Sequence, residues 1–286
     1  MQIKKVLILL LVLGLTTGLA VGCGGQDNEK TPGEDQQGAA KEEVTKLLVG
    51  ATPVPHAEIL QEAKKLLVDK GIELEIIEFT DYVTPNKALA NGDLDANYFQ
   101  HVPYLDDFKE KNNLDLTHTV AVHFEPMGIY SQSIDSLDNL KDGDKVAVPN
   151  DPTNEARALL LLQDNGLITL KEGVGMEATK QDIESKKIDV EIVELEAAQI
   201  PRSLGDVGAA VINGNYAIDA GLNPATDAIT AETKDSLAAQ TYGNVVAIRT
   251  GEENREEIKA LDEVLTSPEI KQFIEDKYRG AVVPMF

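Results

Sequence analysis

Lys145-Val146-Ala147-Val148-Pro149-Asn150-Asp151-Pro152-Thr153-Asn154-Glu155-Ala156-Arg157, continuing into the apolar run Ala158 to Leu162, holds a strand, a turn and a helix in direct succession. Val146 to Val148 is short, branched and apolar, as a strand buried on both faces is. That strand ends in a turn, and Thr153 or Asn154 is predicted to cap the helix that follows. Arg157 then falls about one turn inside. The free N–H groups and positive end of a helix favour an anion, and Arg157 can add a bidentate fork for a carboxylate. Spacing alone serves an alternative equally well: a surface arginine paired with a nearby acid such as Asp151.

Similar units lie on either side. Leu47 to Gly50 reads as a strand ending in a Pro-rich turn, and Ile59, Leu60, Ala63, Leu66 and Leu67 recur at helical spacing until Lys70 and Gly71. Leu74 to Phe79 reads as the next strand. Thr84 and Pro85 suit a helix start, closed by Asn91-Gly92. Further strands are predicted at 120–122, 190–193 and 209–212, with no fixed-period repeat. This alternation predicts an α/β fold of parallel sheets covered by helices on both faces, with ligands beyond the carboxyl ends of the strands. The units are too many for one sheet, so two lobes are expected. The extended segments 126–131 and 244–249 are candidates for the paired crossings between them. Lobe 1 is then 46–127 with 241–286, which returns the helices 253–265 and 268–277 to it, and lobe 2 is 128–240.

Composition narrows the function. With 26 Lys+Arg against 49 Asp+Glu the formal charge is -23, which repels nucleic-acid phosphates and anionic headgroups. No segment after the N-terminal residues approaches the ~20 apolar residues of a spanning helix. Lys4 and Lys5, the apolar Val6 to Leu15 and the small residues Thr16 to Gly22 read as an export signal over 1–22. An uncleaved anchor with an incidental Cys23 is the alternative. Cys23 is the single cysteine, so no intrachain disulfide can form. Leu19-Ala20-Val21-Gly22-Cys23 resembles the bacterial lipobox, in which the cysteine is acylated, although Ala20 stands where leucine is usual. Two or three acyl chains hold a domain at a membrane where one does not. Residues 23–45, rich in Gly, Gln, Glu and Asp, are expected to be a flexible tether.

Two more constellations stand out. Asp95 to Tyr104 concentrates Tyr98, Phe99, His101 and Tyr104 in a chain with no Trp, and Tyr82 follows a strand nearby. Aromatic walls with a polar edge suit a partly apolar ligand, while a core strand running into a helix explains the same pattern. Ala209 to Ala217 ends a buried strand in amides, where Asn213 or Asn215 can hold both charged groups of one amino acid, or else form a tight turn. Catalytic signatures are lacking. Four histidines (His56, His101, His118, His123) and one cysteine offer no defensible triad, and there is no phosphate-binding Gly-Lys-Ser/Thr loop or His-Glu-x-x-His pair. Neither enzyme activity, nor a cofactor, nor a metal is expected.

Gly50 to Pro53 (GATP), Pro55 to Glu58 (PHAE), Glu78 to Tyr82 (EFTDY), Asn97 to His101 (NYFQH), Glu125 to Gly128 (EPMG), Pro149 to Arg157 (PNDPTNEAR), Glu194 to Gln199 (ELEAAQ), Ile212 to Ala217 (INGNYA) and Gly280 to Pro284 (GAVVP) together resemble the NlpA family of lipoproteins. The likeness runs over nearly all of 46–286. It implies a two-lobed fold of the periplasmic-binding-protein type, closing on a methionine-like ligand in the cleft. It further implies that Arg157 binds the ligand carboxylate, that Asn215, Asn213 and Asn244 orient its amino and carboxylate groups, and that Tyr82, Phe99, His101 and Tyr104 wall the side chain. The expected protein is a monomer outside the cytoplasm, anchored through lipid on Cys23 and serving the permease and ATPase of an ABC importer. D-Methionine, a methionine-containing dipeptide or another apolar amino acid are alternative ligands. An adhesin or an extracytoplasmic enzyme are alternatives of another class.

Overall fold

The structure, a computed structural model, describes residues 44–286. The expected signal peptide 1–22, Cys23 and the tether as far as residue 43 lie outside the described residues. Among the described residues no helix is long and apolar enough to cross a membrane.

Two sheets organise the chain into two α/β lobes. The first contains β1 (Thr45–Ala51), β2 (Ile72–Glu78), β3 (Ala96–His101), β4 (Leu116–Phe124), β12 (Asn244–Arg249) and β13 (Val283–Pro284), in the order β13-β4-β12-β3-β1-β2. The second contains β5 (Gly128–Tyr130), β6 (Lys145–Pro149), β9 (Glu191–Leu195), β10 (Ala209–Ile212) and β11 (Thr230–Ala231), in the order β11-β5-β10-β6-β9. A small antiparallel pair, β7 (Ile168–Leu170) and β8 (Ile183–Lys186), stands apart.

Helices cover both faces of each large sheet, as the near-continuous apolar strands require. Against one face of the first sheet lie α1 (Glu58–Leu67), α8 (Glu256–Leu265) and α9 (Pro268–Tyr278), where Leu47, Val49, Leu60, Ile258, Leu261 and Ile274 form one core. Leu89 of α2 (Thr84–Asn91) and Leu105 of α3 (Val102–Asn112) bury the opposite face around Ala247. In the second sheet Val146 and Val148 point into α4 (Pro152–Asp164) and its Leu159 and Leu162. Ala147, between them, faces Ile200 of α5 (Ile200–Ser203) and Tyr216 of α6 (Gly214–Asp219), so the period of two places both strand faces in a core.

The sheets are mixed, not wholly parallel. β5 runs antiparallel to β10, and β12 runs antiparallel to β3 and β4. The reason is topological. β4 leads out of the first sheet toward the second, so the strand by which the chain returns from there, β12, must run the other way. β5, which brings the chain into the second sheet, is reversed for the same reason. The segments 126–131 and 244–249, expected as crossings, are therefore largely these entering strands. The crossings themselves are Glu125 to Met127 and the segment around α7 (Leu237–Thr241). As a result the carboxyl ends of β1, β3, β4, β6 and β10 and the starting ends of β5 and β12 gather at one place.

Glu125 lies on the first crossing and is buried there. Its Oε1 meets Nε2 of His123, from β4, at 2.7 Å and Nε2 of His56, from the turn after β1, at 3.3 Å. The other nitrogen of each ring faces a hydroxyl, Thr52 for His56 at 2.7 Å and Tyr98 for His123. Both hydroxyls can donate, so both rings are read as neutral Nε2–H tautomers, His123 donating to the Glu125 carboxylate and His56 to Asn244 Oδ1 at 3.1 Å. Burial depresses His56 to about 4, with Glu125 opposing, and His123 to about 3. Burial also raises Glu125, against the favourable influence of His56, the Asn215 amide and Arg157.

Unfolded imidazoles titrate near ~6.5, so between that pH and about 4 the unfolded chain binds protons that the folded chain refuses. The expected outcome is stability that is level above pH ~6.5 and falls on acidification, by up to about 1.4 kcal/mol per pH unit for each ring. The raised Glu125 works in the opposite sense and reduces the slope. Denaturant unfolding at pH 7 and pH 5 measures this. Equal stability at the two values would contradict the neutral, buried pair.

Candidate functional site

All eight residues expected at a ligand site, Arg157, Asn213, Asn215, Asn244, Tyr82, Phe99, His101 and Tyr104, line one small, tightly walled cavity. Gln100, Glu125, Asn154 and Gly214 complete its wall. It sits where the strand ends converge.

One end is aromatic. The ring of Tyr82, on the loop after β2, lies 5.9 Å from Phe99 of β3 and 5.7 Å from Tyr104 of α3, centre to centre. Tyr216 of α6 approaches Tyr82 to 4.9 Å from the other lobe. The Tyr104 hydroxyl donates to the Tyr82 carbonyl at 2.9 Å, which fixes the loop that carries Tyr82. An apolar tail of modest length suits the space between such rings.

The other end is polar, and its hydrogen bonds decide which atoms face the cavity. His101 caps α3: its Nδ1 accepts from the Tyr104 N–H at 3.1 Å, so the neutral ring carries its proton on Nε2 and donates to Asn154 Oδ1 at 3.2 Å. Burial, with the charge of Arg157 second, depresses His101 to about 3 and keeps it neutral. Asn154 Oδ1 also accepts from Asn213 Nδ2 at 2.8 Å, while Asn154 Nδ2 donates to the Asp151 carboxylate. Asp151, and not Thr153 or Asn154, is the cap of α4, accepting from the Asn154 N–H at 3.0 Å. Asn154 is thereby released to serve the site.

This chain of amides leaves Asn213 Oδ1 buried and, among the described residues, without a partner. An unpaired buried acceptor costs ~1–3 kcal/mol, a penalty that a ligand donor would relieve. Two amides present the opposite polarity. Asn215 Oδ1 accepts from the Tyr82 hydroxyl at 2.5 Å and Asn244 Oδ1 accepts from His56 Nε2 at 3.1 Å. Each of these residues is left with its NH₂ group as the half available to a ligand.

Arg157 is buried as well, and its fork is taken. Nε donates to Glu232 Oε1 at 2.9 Å, and Nη2 donates to Glu232 Oε2 at 2.5 Å and to the Glu125 carbonyl at 2.9 Å. The guanidinium lies 4.4 Å from the ring centre of Tyr242. Burial alone would lower its pKa; the charge and hydrogen bonds of Glu232 raise it on balance. The bidentate fork expected for a ligand is thus committed to Glu232, and the nearby acid expected as the alternative partner, Asp151, binds Asn154 instead. Among the described residues the Nη1 group makes no hydrogen bond. Gly214 opens α6 against Glu125: a Cβ there would stand 2.6 Å from the Glu125 Cβ, so only glycine permits that approach.

His56, His123 and Glu125 bring three potential metal ligands within 4.8 Å of one another, but His123 Nε2 is hydrogen-bonded to Glu125 and His56 Nε2 to Asn244. The residues not anticipated are Asn154, Glu125, Glu232 and Tyr242. Asn154 carried a signal, since Pro152 at the first helical position points to Asp151 as the cap. Glu232, 75 residues from Arg157 in a polar stretch, carried none. What the cavity offers is a donor cluster from Arg157, Asn215 and Asn244, a lone acceptor on Asn213 and an aromatic sleeve, a set that fits an α-amino acid with an apolar side chain.

The model of the NlpA lipoprotein family matches residues 47–286. The methionine-binding lipoprotein MetQ of Bacillus subtilis is 42% identical over 98% of this chain and 99% of its own length. The D-methionine-binding lipoprotein MetQ of Escherichia coli is 41% identical over 92% of each. Among solved structures, a nutrient-binding protein of Burkholderia cenocepacia bound to methionine superposes with a TM-score of 0.80 at 43% identity, covering 84% of this chain and 100% of that one. The likeness to these proteins extends across both lobes and the strands that join them, and the chain belongs to the NlpA lipoprotein family.

Proposed function

We propose that this chain is an extracytoplasmic, lipid-anchored solute-binding protein that captures methionine, L-methionine above all, and delivers it unchanged to the permease and ATPase of an ABC transporter. The observation that carries the reading is the polarity of the cavity: donor groups of Arg157, Asn215 and Asn244 at one end, the acceptor Asn213 Oδ1 among them, and rings beyond. The ligand carboxylate is assigned to Arg157 Nη1 with Asn215 and Asn244, and the ammonium to Asn213. Tyr82, Phe99 and Tyr104 enclose the side chain, with His101 holding the amides in place. Sulfur against an aromatic ring gains ~0.3–1.5 kcal/mol, which favours a thioether over a plain alkyl tail.

We assign lobe 1 to 46–127 with 241–286 and lobe 2 to 128–240, hinged at the two crossings, with 1–22 as signal peptide and 23–45 as the tether from an acylated Cys23. The protein acts as a monomer and binds no nucleic acid, in keeping with its charge of -23. A second reading has a specific support: the Escherichia coli relative is named for D-methionine. Mirror inversion of the ligand exchanges two substituents around one carbon, and the same donors can serve either hand with a shift of the side chain.

Titration calorimetry on protein stripped of endogenous ligand is expected to give saturable one-to-one heat with L-methionine, and weaker heat with the D-enantiomer. No heat with either would refute the reading. Arg157→Ala is expected to weaken binding by about 2–5 kcal/mol, since it removes a buried charge at the ligand and strands Glu232. In living cells Cys23→Ala should move the protein from the membrane fraction to the medium or periplasm; retention in the membrane would contradict the anchor.

A further inference from the structure

Glu232 does not line the cavity, yet it holds the arginine that does. Its side chain is 6% exposed, and both oxygens are used. Oε1 takes Arg157 Nε, while Oε2 takes Arg157 Nη2 and the backbone N–H of Met127 at 2.8 Å. The Glu232 N–H in turn donates to the Met127 carbonyl at 3.0 Å, so the residue is locked to the first crossing by its backbone as well. A guanidinium has five N–H groups. Glu232 and the Glu125 carbonyl take three, which leaves the two on Nη1.

We propose that Glu232 is a positioning and specificity-determining residue, which aims Arg157 at the cavity through Nη1 alone and cancels its charge, so that the pocket selects zwitterionic α-amino acids over anionic acids of the same shape. The inference rests on the proposed methionine-binding reading. An unpaired buried arginine would accept any small carboxylate. Paired with Glu232, it supplies hydrogen bonds to a carboxylate without a net positive charge to attract one. Glu125, a second buried acid in the wall, adds to the bias against anions. Only a ligand that carries its own positive group is then matched in charge, and Asn213 Oδ1 stands where that group can be received.

The test compares L-methionine with L-2-hydroxy-4-(methylthio)butanoate, in which a hydroxyl replaces the ammonium and the net charge becomes negative. The folded protein should prefer L-methionine by 100-fold or more. In Glu232→Gln, which keeps the shape of the side chain and removes its charge, the preference should shrink at least tenfold, through tighter relative binding of the hydroxy acid. A merely structural role would weaken both ligands in parallel and leave the ratio unchanged, and that result overturns the inference. Should Glu232→Gln fail to fold, the double variant Arg157→Gln/Glu232→Gln carries the test. It restores the original charge balance, so it should bind both ligands more weakly but with the ratio of the unmodified protein. A ratio shifted toward the hydroxy acid in that double variant would overturn the inference too. Failure of the unmodified protein to bind L-methionine at all would instead refute the proposed function.

Discussion

A carboxylate buried on the short crossing between two lobes is the constraint around which this molecule is arranged. Glu125 can be accommodated there only if several hydrogen-bond donors meet it, because an isolated buried charge costs far more than a fold can spare. His123 donates to it from the first lobe with His56 packed beside it at 3.3 Å, and the start of α6 closes on it from the second. Each of these supports is also part of the site. His56 fixes the orientation of Asn244, α6 carries Asn215, and the Glu125 carbonyl holds Arg157. The atoms that make the inter-lobe joint tolerable are therefore the ones that aim the polar end of the cavity.

This arrangement explains how so many amides can present defined halves to a ligand. An asparagine left to itself can turn either end toward a partner. Here one half of each is occupied: Asn215 by Tyr82, Asn244 by His56, Asn213 by Asn154. Donors and acceptor are sorted before any ligand arrives, which lowers the ordering cost of binding. Asn213 Oδ1 is the acceptor in this set that has no partner among the described residues, and a ligand donor would supply one.

Much of this could be read from the residues alone. Branched apolar strands bounded by proline or glycine, and helices of clear period, gave away the α/β units because burial on both sheet faces leaves few polar positions to confuse the pattern. The segments 126–131 and 244–249 were legible as extended but not as sheet strands, since an extended backbone looks the same whether it bridges two sheets or enters one. The cap of α4 was missed among three residues able to cap, although the fixed φ of Pro152 already pointed to Asp151. Glu232 was beyond reach: one acid among 49 Asp and Glu, distant in sequence from its arginine, is marked by nothing until the chain folds. The polarity of the amides was equally hidden, because it depends on which neighbour occupies each half.

The most direct test of the account is a crystal structure of the protein with L-methionine. It should show the ligand ammonium within hydrogen-bond distance of Asn213 Oδ1, the carboxylate on Arg157 Nη1 with Glu232 still holding the fork, and the thioether between Tyr82, Phe99 and Tyr104. A ligand bound in the reverse sense, with its carboxylate at Asn213, or one that displaces Glu232 from Arg157, would contradict it.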